Sequence, residues 1–202
     1  MITLFESMEA LGIITLAYAI GSIPFAFLLA RRRGVDLRRV GSFNVGATNV
    51  LRTSGVPDAV IAMSLDAIKG AVAVAVAQRL TTGAAAPVAA GLASIIGHVY
   101  PVWLGFRGGK GVATAAGVFA VLAPAALAVA GTVFVLVAWM TRYISAGSLA
   151  GAVTLPMAAA VTSVPAVVTA GAAGAALIIV HRHRANVGRL MSGTERRVGQ
   201  RL

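Results

Sequence analysis

The chain contains no cysteine, and only six of its 202 residues are acidic. The first absence excludes disulfides, thiol nucleophiles and cysteine-bound metal together. The second removes the carboxylate clusters that a hard-cation site needs. Charge of either sign is scarce at 11% of residues, where soluble domains carry about 25%. Hydrophobic side chains make up 58%, and the mean hydropathy is +0.89. These proportions exclude an ordinary soluble domain and describe an integral membrane protein.

What charge there is has one dominant sign, a net +11. Such a value could mark a nucleic-acid binder, but the distribution excludes that. Fourteen of the 17 basic groups fall in three islands: Arg31, Arg32, Arg33, Arg38, Arg39 and Arg52; then Arg107 and Lys110; then Arg182, Arg184, Arg189, Arg196, Arg197 and Arg201. Between the islands lie long runs of Ala, Val, Leu, Ile and Gly.

A spanning helix needs about 20 mainly apolar residues, and residues 10–30 supply them. Only Glu6 and Glu9 precede this stretch as charges, so it reads as a retained helix and not a cleaved signal. Residues 56–104 hold two spans, 59–79 and 84–104, divided at Thr81-Thr82-Gly83. Basic loops favour the cytoplasm, so all three islands share that side and residues 112–180 must cross an even number of times. Two crossings would stretch the second from Ile144 to Val180, roughly 55 Å of helix, against a hydrocarbon core of about 30 Å. Four short helices fit, with breaks at Pro124, Pro156 and Pro165 and an inside corner at Arg142. The fold expected is all-α: a polytopic membrane helix bundle of seven transmembrane helices, five being the alternative, with the N-terminus outside and the C-terminus cytoplasmic. Residues 1–202 form a single domain on this reading. The abundant Ala and Gly let the helices approach closely.

Each island has a polar composition of its own. The first runs Gly41-Ser42-Phe43-Asn44-Val45-Gly46-Ala47-Thr48-Asn49 and then Arg52. Its hydroxyls, amides and backbone can donate to an anion, or they can simply form turns. The second runs Gly97-His98-Val99-Tyr100-Pro101, then Phe106-Arg107-Gly108-Gly109-Lys110-Gly111-Val112-Ala113-Thr114. Three glycines around a lysine, just before an apolar helix, favour phosphate. It is no nucleotide loop, because Leu104 stands where the first glycine belongs and Gly111 where Ser or Thr belongs. The third runs His181-Arg182-His183-Arg184-Ala185-Asn186, then Arg189, Gly193, Thr194 and Glu195. His183 and Asn186 share a helix face, while the last arginines make a basic tail for anionic lipid. Within a span, Asp66 and Lys69 stand three apart and can pair, as a functional site or a structural ion pair. Asp58, after Pro57, suits a helix N-terminus.

Together the islands are rich in anion donors and poor in acids, and they call for no metal and no cofactor. They suit an enzyme that handles a phosphorylated substrate whose other half is lipid.

The strings GSFNVGATN with Arg52, GHVYP with FRGGKGVAT, and HRANVGRL with Gly193 and Glu195 resemble the three signature motifs of the bacterial acyl-phosphate-dependent glycerol-3-phosphate acyltransferases, the PlsY type. Their order, the Asp66-Lys69-Gly70 element and the length extend the resemblance over essentially the whole chain. It implies a seven-helix enzyme of the bacterial plasma or inner membrane, with its site facing the cytoplasm. The reaction implied moves a fatty acyl group from acyl phosphate to the 1-hydroxyl of sn-glycerol 3-phosphate, giving lysophosphatidic acid and phosphate. Acyl phosphate, glycerol 3-phosphate and membrane lipid are then the partners, and nucleic acid is not.

By the same resemblance, Ser42, Arg52, His183 and Asn186 are the catalytic set. Asn44, Gly46, Thr48, Asn49, Gly108, Gly109, Lys110, Gly111, Thr114 and Glu195 bind substrate, with Glu195 suited also to orienting the third motif. An acyl phosphate is already activated, so the task is to hold two anions together. Arg52, Lys110 and the amides of Gly108, Gly109 and Gly111 would do that. The general base is either His183 or a substrate phosphate oxygen. Two positions depart from the family pattern. Phe43 replaces a glycine that would permit positive φ, and Arg107 stands where lysine is common. The acyltransferases that pair a His with an Asp across four residues are excluded, since Trp103, Asn186 and Gly188 occupy the Asp positions. A transporter of phosphorylated metabolites is the alternative class, but it requires polar groups through both halves of a pathway, and the outer half here is apolar.

Overall fold

The computed structural model describes residues 4–200, which are entirely helix and connecting turns, with no strand among them. The chain divides into two compact units, Met1–Leu122 and Ala123–Leu202.

The first unit opens with α1 (Leu4–Ser22) and α2 (Phe25–Arg32). The span expected over 10–30 is present as Met8–Arg32, with its helix broken between Ser22 and Phe25: Pro24 has no N–H to give and disfavours helix in the residue before it. A loop leads to α3 (Ala47–Thr53) and then the long α4 (Val56–Leu80). Pro57 sits in the first turn of α4, where its missing donor costs nothing. Asp58, beside it, takes the Arg33 guanidinium at 3.0 and 3.3 Å. The division expected at Thr81-Thr82-Gly83 is present, with Thr81 capping α4 and Gly83 at φ +79°. Next come α5 (Ala85–Val99), a 3-10 turn over Val102–Leu104, and α6 (Val112–Leu122).

Within this unit α1 packs on α5, and α4 on α5 and α6. Small residues set the spacing. A Cβ at Gly70 or Gly117 would collide with the carbonyls of Thr114 or Ala67 across the α4–α6 contact. The first polar loop rests on its own apolar cluster, where Leu37, Val45 and Val50 meet Ala26, Ala30, Ala59 and Ala62.

The second unit contains α7 (Pro124–Thr141), α8 (Ile144–Val161), α9 (Ala166–Arg182) and α10 (Arg184–Met191), packed in sequence. Pro124 opens α7 and Pro165 caps α9, as the breaks required. Pro156 does not break the chain: α8 runs through it, as membrane helices allow where neighbours restore the lost backbone pairing. Arg142 makes the α7–α8 corner in the left-handed region at φ +63°. The axis bends by 57° between α9 and α10, so the continuous last helix expected through His183 is two helices.

Among the described residues, five segments are long and apolar enough to cross a membrane: Met8–Arg32, Val56–Leu80, Ala85–Leu104, Pro124–Thr141 and Ile144–Val161. The bent α9–α10 pair makes a sixth if counted as one, and α6 is apolar but shorter. Four helices thus occupy the stretch between the second and third islands. Large apolar side chains point outward along them, Trp139 at 77% exposed and Leu177 at 72%, which suits lipid and not water.

Candidate functional site

The first polar loop is built around a buried amide. Asn49 is fully enclosed; its Nδ2 donates to Leu37 O at 3.2 Å and Val40 O at 3.0 Å, and its Oδ1 accepts Ser42 N–H at 2.9 Å. Both donors and one acceptor position of that side chain are used within the loop. These bonds give Asn49, expected to bind substrate, a part in holding the loop's shape. Around it the half-buried Ser42, Asn44, Gly46 and Thr48 line the loop, and Gly46 precedes the first turn of α3. Arg52 lies in the last turn of that helix. Phe43, the departure from the family pattern, adopts φ +57° with its ring 69% exposed. The backbone therefore keeps the left-handed conformation that glycine would favour, and the phenylalanine accepts the strain. Nearby, hydrogen bonds from Arg38 hold the Asp36 carboxyl down to about 2.

The second loop folds back on α5. Gly109 N–H donates to His98 O and Gly108 N–H to Val99 O, both at 3.1 Å. Two of the three amides expected to face phosphate thus donate to carbonyls of α5. Space explains why these residues are glycine: a Cβ at Gly108 would strike His98 O, and one at Gly109 would strike the His98 ring. Gly111 turns the chain into α6 at φ +86°, leaving the half-buried Lys110 between the turn and the helix. Thr114 is fully buried against Gly70 of α4, and its Oγ1 meets no hydrogen-bond partner there. Thr114, expected to contact substrate, thus also takes part in the α4–α6 packing. Tyr18 of α1 secures the entry to this loop by donating to Tyr100 O at 2.8 Å.

Behind the turn lies a group that sequence spacing revealed only in part. Asp66 Oδ1 is 2.8 Å from Lys69 Nζ, an i,i+3 ion pair, and 3.4 Å from His98 Nδ1. Lys69 also donates to Ile23 O at 2.8 Å, at the break between α1 and α2. All three side chains are buried. With Ser22, Ile23 and Gly109 they line a small open cavity. His98 escaped notice as a partner of Asp66 because the two sit on different helices; its place in the GHVYP string was the only signal.

The third island, in the second unit, converges on a carboxylate. Glu195 Oε1 accepts Asn186 Nδ2 at 2.7 Å and Ser145 Oγ at 2.8 Å, while Oε2 accepts Arg189 Nε at 2.6 Å. Burial opposes its ionisation, yet these three donors outweigh burial and hold the carboxyl below the usual glutamate value. Of the two parts expected of Glu195, binding substrate and orienting the third motif, these contacts serve the second. Ser145, on α8, is a member that the sequence reading omitted. His183, 2% exposed at the α9–α10 bend, has Nδ1 at 2.8 Å from Ile179 O. A carbonyl can only accept, so the proton sits on Nδ1 and the basic lone pair on Nε2.

Residues 11–193 match the family model described as glycerol-3-phosphate acyltransferase. A glycerol-3-phosphate acyltransferase of Brucella anthropi is 43% identical over 197 residues, covering 96% of this chain and 96% of that protein. Glycerol-3-phosphate acyltransferase 1 of Deinococcus radiodurans is 42% identical over 196 residues, covering 97% and 99%. The crystal structure of PlsY, an integral membrane glycerol 3-phosphate acyltransferase, in its glycerol 3-phosphate form is 39% identical with a TM-score of 0.90, over 94% of this chain and 96% of that one. Its lysophosphatidic acid form is 37% identical with a TM-score of 0.88, over 94% and 95%.

Proposed function

This chain belongs to the glycerol-3-phosphate acyltransferase family, and we propose that its acyl donor is acyl phosphate and that it works at the cytoplasmic face of a bacterial plasma or inner membrane. It is an integral membrane acyltransferase, and its reaction opens phospholipid synthesis. The observation that carries the reading is the likeness, over 94% of the chain, to an acyltransferase solved with glycerol 3-phosphate.

In the reaction the 1-hydroxyl oxygen of glycerol 3-phosphate attacks the acyl carbonyl carbon. The bond from that carbon to the phosphate oxygen breaks, and the ester and inorganic phosphate leave. The mixed anhydride is activated already, so no protein nucleophile is needed. What must be overcome is the approach of two anions. Arg52 and Lys110 supply fixed positive charge for them, and charge-assisted hydrogen bonds of this kind contribute about 1.5–3 kcal/mol each. Ser42, Asn44, Gly46, Thr48 and Gly111 add neutral donors in this reading. His183 Nε2 takes the hydroxyl proton; the Nδ1 bond to Ile179 O supports that role by fixing the tautomer. Asn186 stands one turn along from His183, held by Glu195.

Purified protein in detergent, given acyl phosphate and glycerol 3-phosphate without nucleotide or acyl-CoA, is expected to release phosphate and form lysophosphatidic acid. Turnover with acyl-CoA and none with acyl phosphate would overturn the donor assignment.

A further inference from the structure

We infer that the buried set Asp66, Lys69 and His98 fixes the position of Lys110 through the Gly108–Gly109 turn, making His98 a positioning residue for acyl transfer. The inference rests on the reading of Lys110 as a phosphate-binding group.

The turn is held from both ends of one residue. The His98 carbonyl takes the Gly109 amide at 3.1 Å, and the His98 ring lies so close to Gly109 that no Cβ fits between them. The ring is located in turn by Asp66, 3.4 Å from its Nδ1. Asp66 is fixed by Lys69 at 2.8 Å, and Lys69 by the Ile23 carbonyl at 2.8 Å. The series therefore runs from the α1–α2 break through α4 and the end of α5 to the residue before Lys110. A plain ion pair between neighbours on α4 would stabilise that helix without a third member. Here the third member comes from α5, and all three line the cavity directly behind the turn. Ionisable groups are costly within a membrane and persist where they serve the site.

The test compares wild type, His98→Ala, Gly109→Ala and the double variant, with turnover measured on the monodisperse fraction from size exclusion. His98→Ala is expected to lower kcat/KM on the order of 100-fold, the scale of a small misplacement of a binding group. Gly109→Ala is expected to lose activity because its methyl meets the ring. The losses should not multiply, since removing the ring makes room for the methyl. Wild-type kcat/KM in His98→Ala, or losses that multiply in the double variant, would overturn the inference. If His98→Ala yields no folded protein, Gly109→Ala decides alone, and wild-type activity there overturns it. A wild-type chain inert with acyl phosphate overturns the acyl-phosphate reading and this inference with it; an active wild type with indifferent variants overturns the inference only.

Discussion

Asn186 and Glu195 are joined by a 2.7 Å hydrogen bond from Nδ2 to Oε1, and the same oxygen takes the Ser145 hydroxyl at 2.8 Å. One carboxylate thus ties α10 to the head of α8. Glu195→Gln replaces an acceptor oxygen with a donor and is expected to destabilise the protein by about 1–3 kcal/mol. The sign with pH follows from the lowered native pKa. The carboxylate's contribution is complete above the unfolded value of about 4.3, and it fades as pH falls toward the native one. Melting curves of wild type and Glu195→Gln should therefore converge on acidification below that value. Curves that stay parallel would show that the charge is not what stabilises this region.

His183→Gln keeps size and polarity but removes the basic nitrogen. It is expected to lower kcat by about 100- to 10,000-fold, with the KM for glycerol 3-phosphate little changed. Wild-type turnover in this variant across about pH 6 to 8, where histidine titrates, would transfer the proton to a substrate phosphate oxygen.

Asn49 makes three hydrogen bonds that no other side chain of its size reproduces. Asn49→Ala leaves buried carbonyls unpaired, and Asn49→Asp sets oxygen against oxygen. Each should cost about 3 kcal/mol, read as a lower melting temperature. The activity of the remaining folded fraction should keep its substrate KM, as a binding residue's variant would not.

Phe43→Gly removes a left-handed strain of about 1–2 kcal/mol, partly offset by the flexibility of glycine in the unfolded chain. It should raise the melting temperature relative to Phe43→Ala, which shares the loss of the ring but keeps a Cβ. Equal stability in the two variants would mean that the ring and not the backbone sets the cost.

Gly117→Ala places a methyl against the Ala67 carbonyl. Overpacking of this kind costs about 1–3 kcal/mol, and the measurement is again thermal stability in detergent.

The helical plan was legible where a local cause acts alone. Thr81-Thr82-Gly83, Pro124 and Pro165 end or begin helices as their backbones dictate. Pro24 and Pro156 show the limit. The first interrupts its helix and the second does not, because the outcome depends on what neighbouring helices offer the unpaired carbonyl. The motifs likewise gave the loops but not the direction of each group within them. Asn44 and Asn49 read alike in sequence; one lines the loop and the other is sealed inside it. The amides of Gly108 and Gly109 turn back to α5 for a reason that lies in the His98 ring, and no spacing rule connects His98 to Asp66.

The shortness of α6 has a consequence for the lipid. Eleven residues make about 16 Å of helix, roughly half the hydrocarbon thickness of about 30 Å. Its two ends cannot both reach water through an undisturbed bilayer, so either one end stops at depth or the membrane thins around it. Lys110 is at the head of this helix. A water-soluble acceptor and an oily donor have to meet near that end, so turnover is expected to respond to bilayer thickness.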